Sequence, residues 1–213
     1  MRVDVFTLVP HAFAWLTEQR PIAGVLGGEL ELRLFNYRDS TPLRSGQVDD
    51  EPYGGGAGMV LRVDVVAAAL DAVYGGEPAH RVVALTPQGR QLTQEVVEEL
   101  AAEDAVTLLS SRFEGFDERI VQHLSSDAIS IGPYVLSNGE LPAMVLLDAL
   151  ARRLPGALAE GSGELESFSA ELDGRLEYPH YTRPPEFRGW TVPDVLLSGD
   201  HARIDAWRRE HVR

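Results

Sequence analysis

The sequence predicts an α/β protein, a mostly parallel sheet with helices on both faces. Two observations carry that reading. Strand-like and helix-like segments alternate along most of the chain, and strands separated by helices pair in parallel with both faces covered. Compact apolar runs such as 3–9 and 81–85 read as buried strands, the second closed by Thr86-Pro87-Gln88-Gly89, a turn by its Pro and Gly.

In chain order, residues 3–9 form a strand and a short helix runs from about His11 to Thr17. Residues 30–35 alternate as a second strand, and residues 36–60 are loop-like. Residues 63–74 suit a helix, and 81–85 are the next strand. Thr93 then reads as an N-cap for a helix to about Ala102, with Val96, Val97 and Leu100 on one face. The unit repeats as a strand at 106–109, a helix near 116–124 and a strand at 128–131. Residues 141–154 are another amphipathic helix, closed by Pro155-Gly156. A first domain is therefore expected over 1–156. The small, acidic, glycine-containing stretch 157–177 reads as a flexible linker. The tail 178–213 carries an apolar patch at 192–197 and a helix from about Asp200.

With 213 residues the chain can bury a sizeable core. There is no Cys, which excludes disulfides and thiolate metal sites, and no apolar stretch approaches the roughly eighteen residues a membrane span needs. The interrupted N-terminal run reads as a strand, not a signal peptide, so a cytoplasmic protein with no membrane association is expected. Acidic residues outnumber basic ones 33 to 19, for a net charge of −14, which argues against non-specific affinity for nucleic acid. All the basic residues are arginine. A guanidinium fork still recognises phosphate, so a local basic site stays open.

Three segments stand out. Tyr53-Gly54-Gly55-Gly56-Ala57-Gly58-Met59 lets backbone approach a ligand closely, but lacks the Gly-Lys-Ser/Thr of a phosphate loop. A flexible surface loop explains it equally well. Residues 130–142, SIGPYVLSNGELP, leave a strand and enter a helix. They suit either a plain turn or a loop gripping an adenosine, with Ile131, Tyr134 and Leu136 as apolar walls. Residues 111–119, SRFEGFDER, follow another strand end and also fit a salt-bridged helix start. The six histidines form no ligand cluster, so no protein metal site is expected, and no GxSxG elbow marks a serine hydrolase.

Taken in order, VDDEPYGGGAGM (48–59), LTPQGR (85–90), SRFEGFDER (111–119), SIGPYVLSNGELPAM (130–144), PHYTRP (179–184) and VPDVLLSGDHARIDAWR (192–208) resemble the bacterial tRNA (guanine-N1)-methyltransferase family of the SPOUT superfamily. The resemblance covers most of the chain. It implies a trefoil knot in the C-terminal half of the α/β domain, a methyl transfer from S-adenosyl-L-methionine (SAM) to N1 of guanine 37 in tRNA, and a homodimer with its active site at the subunit interface. It leaves open an assisting Mg2+.

By that resemblance the cofactor is held by Leu85, Thr86 and Pro87, by the loop from Ser111 through Glu114 (Ser111, Arg112, Glu114), and by Ile131, Gly132, Pro133, Tyr134, Val135, Leu136, Asn138 and Gly139. Arg152 takes the place of the active-site arginine. Glu166 takes that of the general base, where the family carries aspartate, with Asp173 as the alternative. Asp50, Tyr53, Gly54, Gly55, His180 and Arg183 are expected at the substrate. Ser111 stands where glycine is usual, Phe113 where tyrosine or a similar aromatic is, and Pro133 where aspartate is common. Asn138 replaces the first of two glycines, and asparagine is the best non-glycine residue for left-handed backbone. The family continues beyond Arg213 with further helices, so 178–213 are expected to be the start of a truncated C-terminal tRNA-binding domain. A diverged SPOUT enzyme acting on another RNA or a small molecule, and a non-catalytic knotted dimer that binds SAM or RNA, remain alternatives.

Overall fold

The computed structural model describes residues 1–159 and 166–213, which fall into two compact units, 1–157 and 158–213. In the first unit the elements are β1 (Arg2–Thr7), α1 (Ala14–Glu18), α2 (Ile22–Val25), β2 (Glu31–Asn36), β3 (Asp49–Asp50), β4 (Val60–Leu61), α3 (Val63–Tyr74), β5 (Arg81–Gln91), α4 (Gln94–Ala101), β6 (Ala105–Ser110), α5 (Glu118–His123), β7 (Asp127–Ser130) and α6 (Glu140–Ala151). Five of these strands form one sheet in the order β2-β1-β6-β5-β7, and every pairing in it is parallel. β3 and β4 make a separate antiparallel pair within the otherwise loop-like 36–60.

Period-two alternation sorts the strand residues between two cores. Val3, Val5, Val83, Leu85, Val106 and Leu108 pack with α1, α2, α4 and α6 on one face, while Phe6, Val82 and Leu109 pack with α3, α5 and Tyr37 on the other. On the first face Val96, Val97 and Leu100 of α4 join Ala143, Leu146, Leu147 and Leu150 of α6. α3 ends where Gly75 takes the left-handed conformation, φ +73°, that closes a helix without steric cost. Asp117 caps α5 by accepting from the Arg119 N–H.

The turn expected at 86–89 does not end its strand. Leu85 and Arg90 both lie opposite Ile129, so residues 86–89 loop out and the chain returns to β7 for two further pairs, Arg90 and Gln91. Pro87, with no N–H to give a ladder, is carried in the excursion. The Leu92 N–H then donates to the Ser130 carbonyl at 2.7 Å. At the return point Gly89 lies directly on the β7 backbone, where a Cβ would come within 2.4 Å of Ala128 and Ile129 main-chain atoms. Arg90 pins the crossing, reaching Asp127 at 2.6 and 3.1 Å and Glu99 at 3.0 Å. Hydrogen bonds from Arg90 and then Arg81 hold the Glu99 carboxyl down at about 2.

Between β1 and α3 lies a fully buried carboxylate, Asp4. It accepts two hydrogen bonds from Arg33 and one from the Tyr74 hydroxyl, each at 2.6 Å. Burial pushes its pKa up, but the bonds from Arg33 and Tyr74 outweigh that and hold it below the ordinary 3.8. Because Tyr74 gives its proton to Asp4, Thr107 must donate to Tyr74, and the His80 Nε2 must in turn donate to Thr107 at 2.8 Å. Each proton in this chain thus has one direction.

In the second unit, residues 160–165 of the expected linker lie outside the described residues. Residues 166–177 make a closed turn. The Phe168 N–H donates to the Arg175 carbonyl at 2.8 Å, and Leu172 is buried. A hairpin of β8 (Glu186–Phe187) and β9 (Trp190–Thr191) turns through Arg188 and Gly189, both at positive φ, as the twist of a two-residue hairpin requires. α7 (Asp194–Leu197) and α8 (His201–Glu210) follow. The Trp207 ring stacks on His211 at 4.1 Å, and the Arg208 guanidinium lies over Tyr178.

Asp4→Ala should cost about 3 kcal/mol in urea unfolding at neutral pH, since it strands a partly buried guanidinium. A lowered carboxyl pKa stabilises fully above the ordinary value and is lost as pH falls through the folded one. The deficit of Asp4→Asn relative to the parent should therefore shrink as pH falls below the ordinary 3.8. Gly89→Ala should destabilise by about 1–3 kcal/mol or more, because backbone, not a flexible side chain, must give way.

Candidate active site

Ligands of open α/β sheets sit beyond the carboxyl ends of the strands. Here the loops leaving β5, β6 and β7, three adjacent strands, enclose a cleft with about 660 Å³ of atom-free space, its open mouth included. Leu85, Thr86 and Pro87 line it from the β5 excursion, and Ser111, Arg112 and Glu114 from the loop after β6. Ile131, Gly132, Tyr134, Val135, Leu136, Asn138 and Gly139 line it from the loop after β7. Of the residues expected at the cofactor only Pro133 is outside the lining.

The loops are fixed by their own main chain. The Gly139 N–H donates to the Ser111 carbonyl at 2.7 Å, and the Ser110 hydroxyl donates to the Gly139 carbonyl at 3.1 Å. A Cβ on Gly139 would lie 2.6 Å from the Ser111 nitrogen, so only glycine fits this second crossing. Asn138 is not among the residues at positive φ, so left-handed geometry does not explain the asparagine there. The tight constraint falls on the neighbouring glycine, which this sequence keeps. In the same loop the Tyr134 ring folds over Gly132 and its hydroxyl donates to the Ile131 carbonyl at 3.2 Å. Phe113, by contrast, holds a left-handed backbone at φ +61°, a conformation costly for a bulky residue and one that clusters at ligand sites.

The glycine-rich loop docks beside this cleft. The Glu114 N–H donates to the Met59 carbonyl at 2.9 Å, the Leu61 N–H to Gly115 and the Asp117 N–H to Leu61. Gly58 consequently lies against the Glu114 side chain. Beyond it Tyr53 is fully exposed, and with Asp50 lines an adjoining open groove that also holds Arg62, Asp64 and Arg119. Arg62 engages Asp50 at 2.7 Å and Asp64 at 2.8 Å. Gly54 and Gly55 both take positive φ at the tip.

The remaining candidates are not among the residues that line the cleft. Arg152 is the residue that caps α6, its N–H bonded to the Asp148 and Leu150 carbonyls. The helix begins at the cleft wall, so Arg152 stands roughly 18 Å further along its axis, at about 1.5 Å per residue. Glu166 and Asp173 belong to the closed turn of the second unit. The Glu166 carbonyl accepts from the Ser169 N–H, and the exposed Asp173 carboxylate lies 3.5 Å from Arg175. His180 bonds Glu177 at 2.8 Å, and Arg183 is exposed. Among the described residues no group of three or more His, Asp or Glu is placed to hold a metal ion, and no helix is long and apolar enough to cross a membrane.

Sequence reasoning did not name Phe113, Gly115, Ile129, Ser130, Ser137 and Pro142 among the cofactor residues, and all six line the cleft. Their signal was positional. Ile129 and Ser130 end a strand, and Pro142 sits in the first turn of a helix, at the edge where ligands gather.

A family model described as tRNA (Guanine-1)-methyltransferase TrmD matches residues 1–213. Similar curated proteins include the tRNA (guanine-N(1)-)-methyltransferase of Dehalococcoides mccartyi, 47% identical over 212 residues, which are 99% of this chain and 85% of that protein. The protein of the same name from Brevibacillus brevis is 48% identical over 210 residues, 98% of this chain and 85% of its own length. That of Geobacillus kaustophilus is 45% identical over 212 residues, 99% and 86% respectively. Likeness of this extent, from the first strand through the last helix, makes the chain a member of the tRNA (guanine-1)-methyltransferase family.

Proposed function

We propose that this protein transfers the methyl group of SAM to N1 of a guanine in tRNA, the one at position 37, as a cytoplasmic homodimer with its active sites between subunits. The observation that supports this most is the convergence of three strand-end loops on one cleft in a chain of this family.

The cleft suits SAM chemically. Leu85, Ile131, Leu136 and Pro142 offer apolar walls for a purine, while Thr86, Ser111, Ser137 and Asn138 offer hydroxyl and amide groups for ribose and polar ends. Arg112 and Glu114 are the charged side chains among its lining residues, one for a carboxylate and one for a cationic group. Bound there, SAM supplies an electrophilic methyl group on a sulfonium. The walls exclude water and fix the orientation of approach.

Guanine N1 carries a proton at neutral pH and is a poor nucleophile. The Glu166 carboxylate is assigned to accept that proton, with Asp173 of the same turn as the alternative base. As the proton leaves, negative charge grows on O6, and the Arg152 guanidinium donates to it. The length of α6 between the cleft wall and Arg152 favours a two-chain site, one subunit providing the cleft and the other the arginine. Two tight backbone crossings, Gly89 on β7 and Gly139 on the end of β6, are also what a chain threaded into a trefoil knot requires. With a net charge of −14, RNA recognition must be local. In the second unit, taken as a tRNA-binding part of the chain, His180, Arg183 and the arginine-flanked aromatic rings supply suitable groups.

A tRNA transcript with guanine at positions 36 and 37 should be methylated, and one lacking guanine 37 should not; equal methylation of both would overturn the assigned position. Arg152→Ala should lower turnover by about 10²–10³ with SAM affinity by calorimetry unchanged. Loss of both together would make the arginine structural. Glu166→Gln should abolish the proton-accepting step and leave Asp173→Asn active. The opposite pattern would move the base to Asp173.

A further inference from the structure

Beneath the cleft lies a carboxyl group that the proposed chemistry does not use. Glu140, the first residue of α6, is only 3% exposed. Its Oε1 accepts a hydrogen bond of 2.6 Å from the hydroxyl of Thr7, the last residue of β1, itself fully buried. That hydroxyl is held in place because it also accepts the Val9 N–H at 2.9 Å. Glu140 Oε2 is shielded from solvent with no hydrogen-bond partner among the described residues, while the hydroxyl of fully buried Tyr37 has the Ser110 main chain beside it. Burial, and after it the Glu140 carboxylate, push the Tyr37 hydroxyl well above its ordinary pKa.

Buried polar atoms left in this state call for an explanation, because a leucine would fill the same volume without the desolvation penalty. What Glu140 is attached to supplies one. Its peptide follows Gly139, whose N–H and carbonyl are bonded to Ser111 and Ser110 and whose backbone lies against theirs. Where the third cofactor loop crosses the end of β6, it is therefore held above by Ser110 and Ser111 and anchored below, through Glu140, to the end of β1.

We propose that Glu140 is a positioning residue: with Thr7 it forms a buried polar clamp that keeps Gly139 seated on Ser110–Ser111 and so sets the spacing of the second and third cofactor loops. The proposal rests on the reading of the cleft as the SAM site. Misplacement by about an ångström costs up to about a hundredfold at such sites.

The test is SAM affinity by calorimetry, beside thermal unfolding and turnover at saturating SAM. Thr7→Val and Glu140→Gln should weaken SAM binding by roughly tenfold or more, with small losses of thermal stability and near-parental turnover once SAM is saturating. Thr7→Ser, which keeps the hydroxyl, should retain parental affinity. Should either of the first two fail to fold, Thr7→Ala, which removes the hydroxyl donor without adding bulk, should weaken SAM binding by a similar factor. If the parent protein takes up no SAM, the cleft reading falls and the clamp with it. If the parent binds SAM and the variants bind it equally, or lose stability without losing affinity, the clamp alone is overturned.

Discussion

The structure depends on two places where main chain lies directly on main chain. At Gly89 the excursion after β5 returns across β7, and at Gly139 the loop after β7 crosses the end of β6. Neither contact admits a side chain. Between them they bring the exits of three neighbouring strands into one cleft and keep them there without a disulfide. The surrounding arrangement serves these crossings: Arg90 braces the first against Asp127 and Glu99, and Ser110 with the start of α6 braces the second.

Electrostatics in this protein is local. A net charge of −14 spread over the surface says little about the site, whereas individual charges are closely engaged. Asp4 is the clearest case, a buried carboxylate whose desolvation is offset by a guanidinium fork and a tyrosine hydroxyl. The ordered chain from His80 through Thr107 and Tyr74 ties the amino end of β5 to the centre of the sheet. Arg62 is likewise occupied by Asp50 and Asp64, so the groove beside the glycine-rich loop presents paired charges.

Much of the α/β layer was legible from local pattern. The helix at 63–74 has an apolar stripe ended by Gly75, and the strand β1 is an apolar run ended by a proline, so each carries its own boundaries. β5 was misjudged because Pro87 and Gly89 are turn residues anywhere else, and nothing local reveals that the chain comes back to the same partner strand. The cleft was less legible still. From the residues alone, 130–142 fitted a plain turn as well as a binding loop, and only the likeness to a family joined it to 85–87 and 111–114. Those segments meet through contacts between distant positions, which no periodicity records. The asparagine at 138 was rationalised by a backbone conformation it does not have, while the neighbouring Gly139 carries the constraint.

Backbone crossings of this kind do not open by rotating side chains. The exposed Tyr134 and Val135 stand on the third loop, between its two fixed ends at β7 and Gly139. Whatever enters or leaves the cleft on this side therefore passes the side chains of Tyr134 and Val135 along its rim.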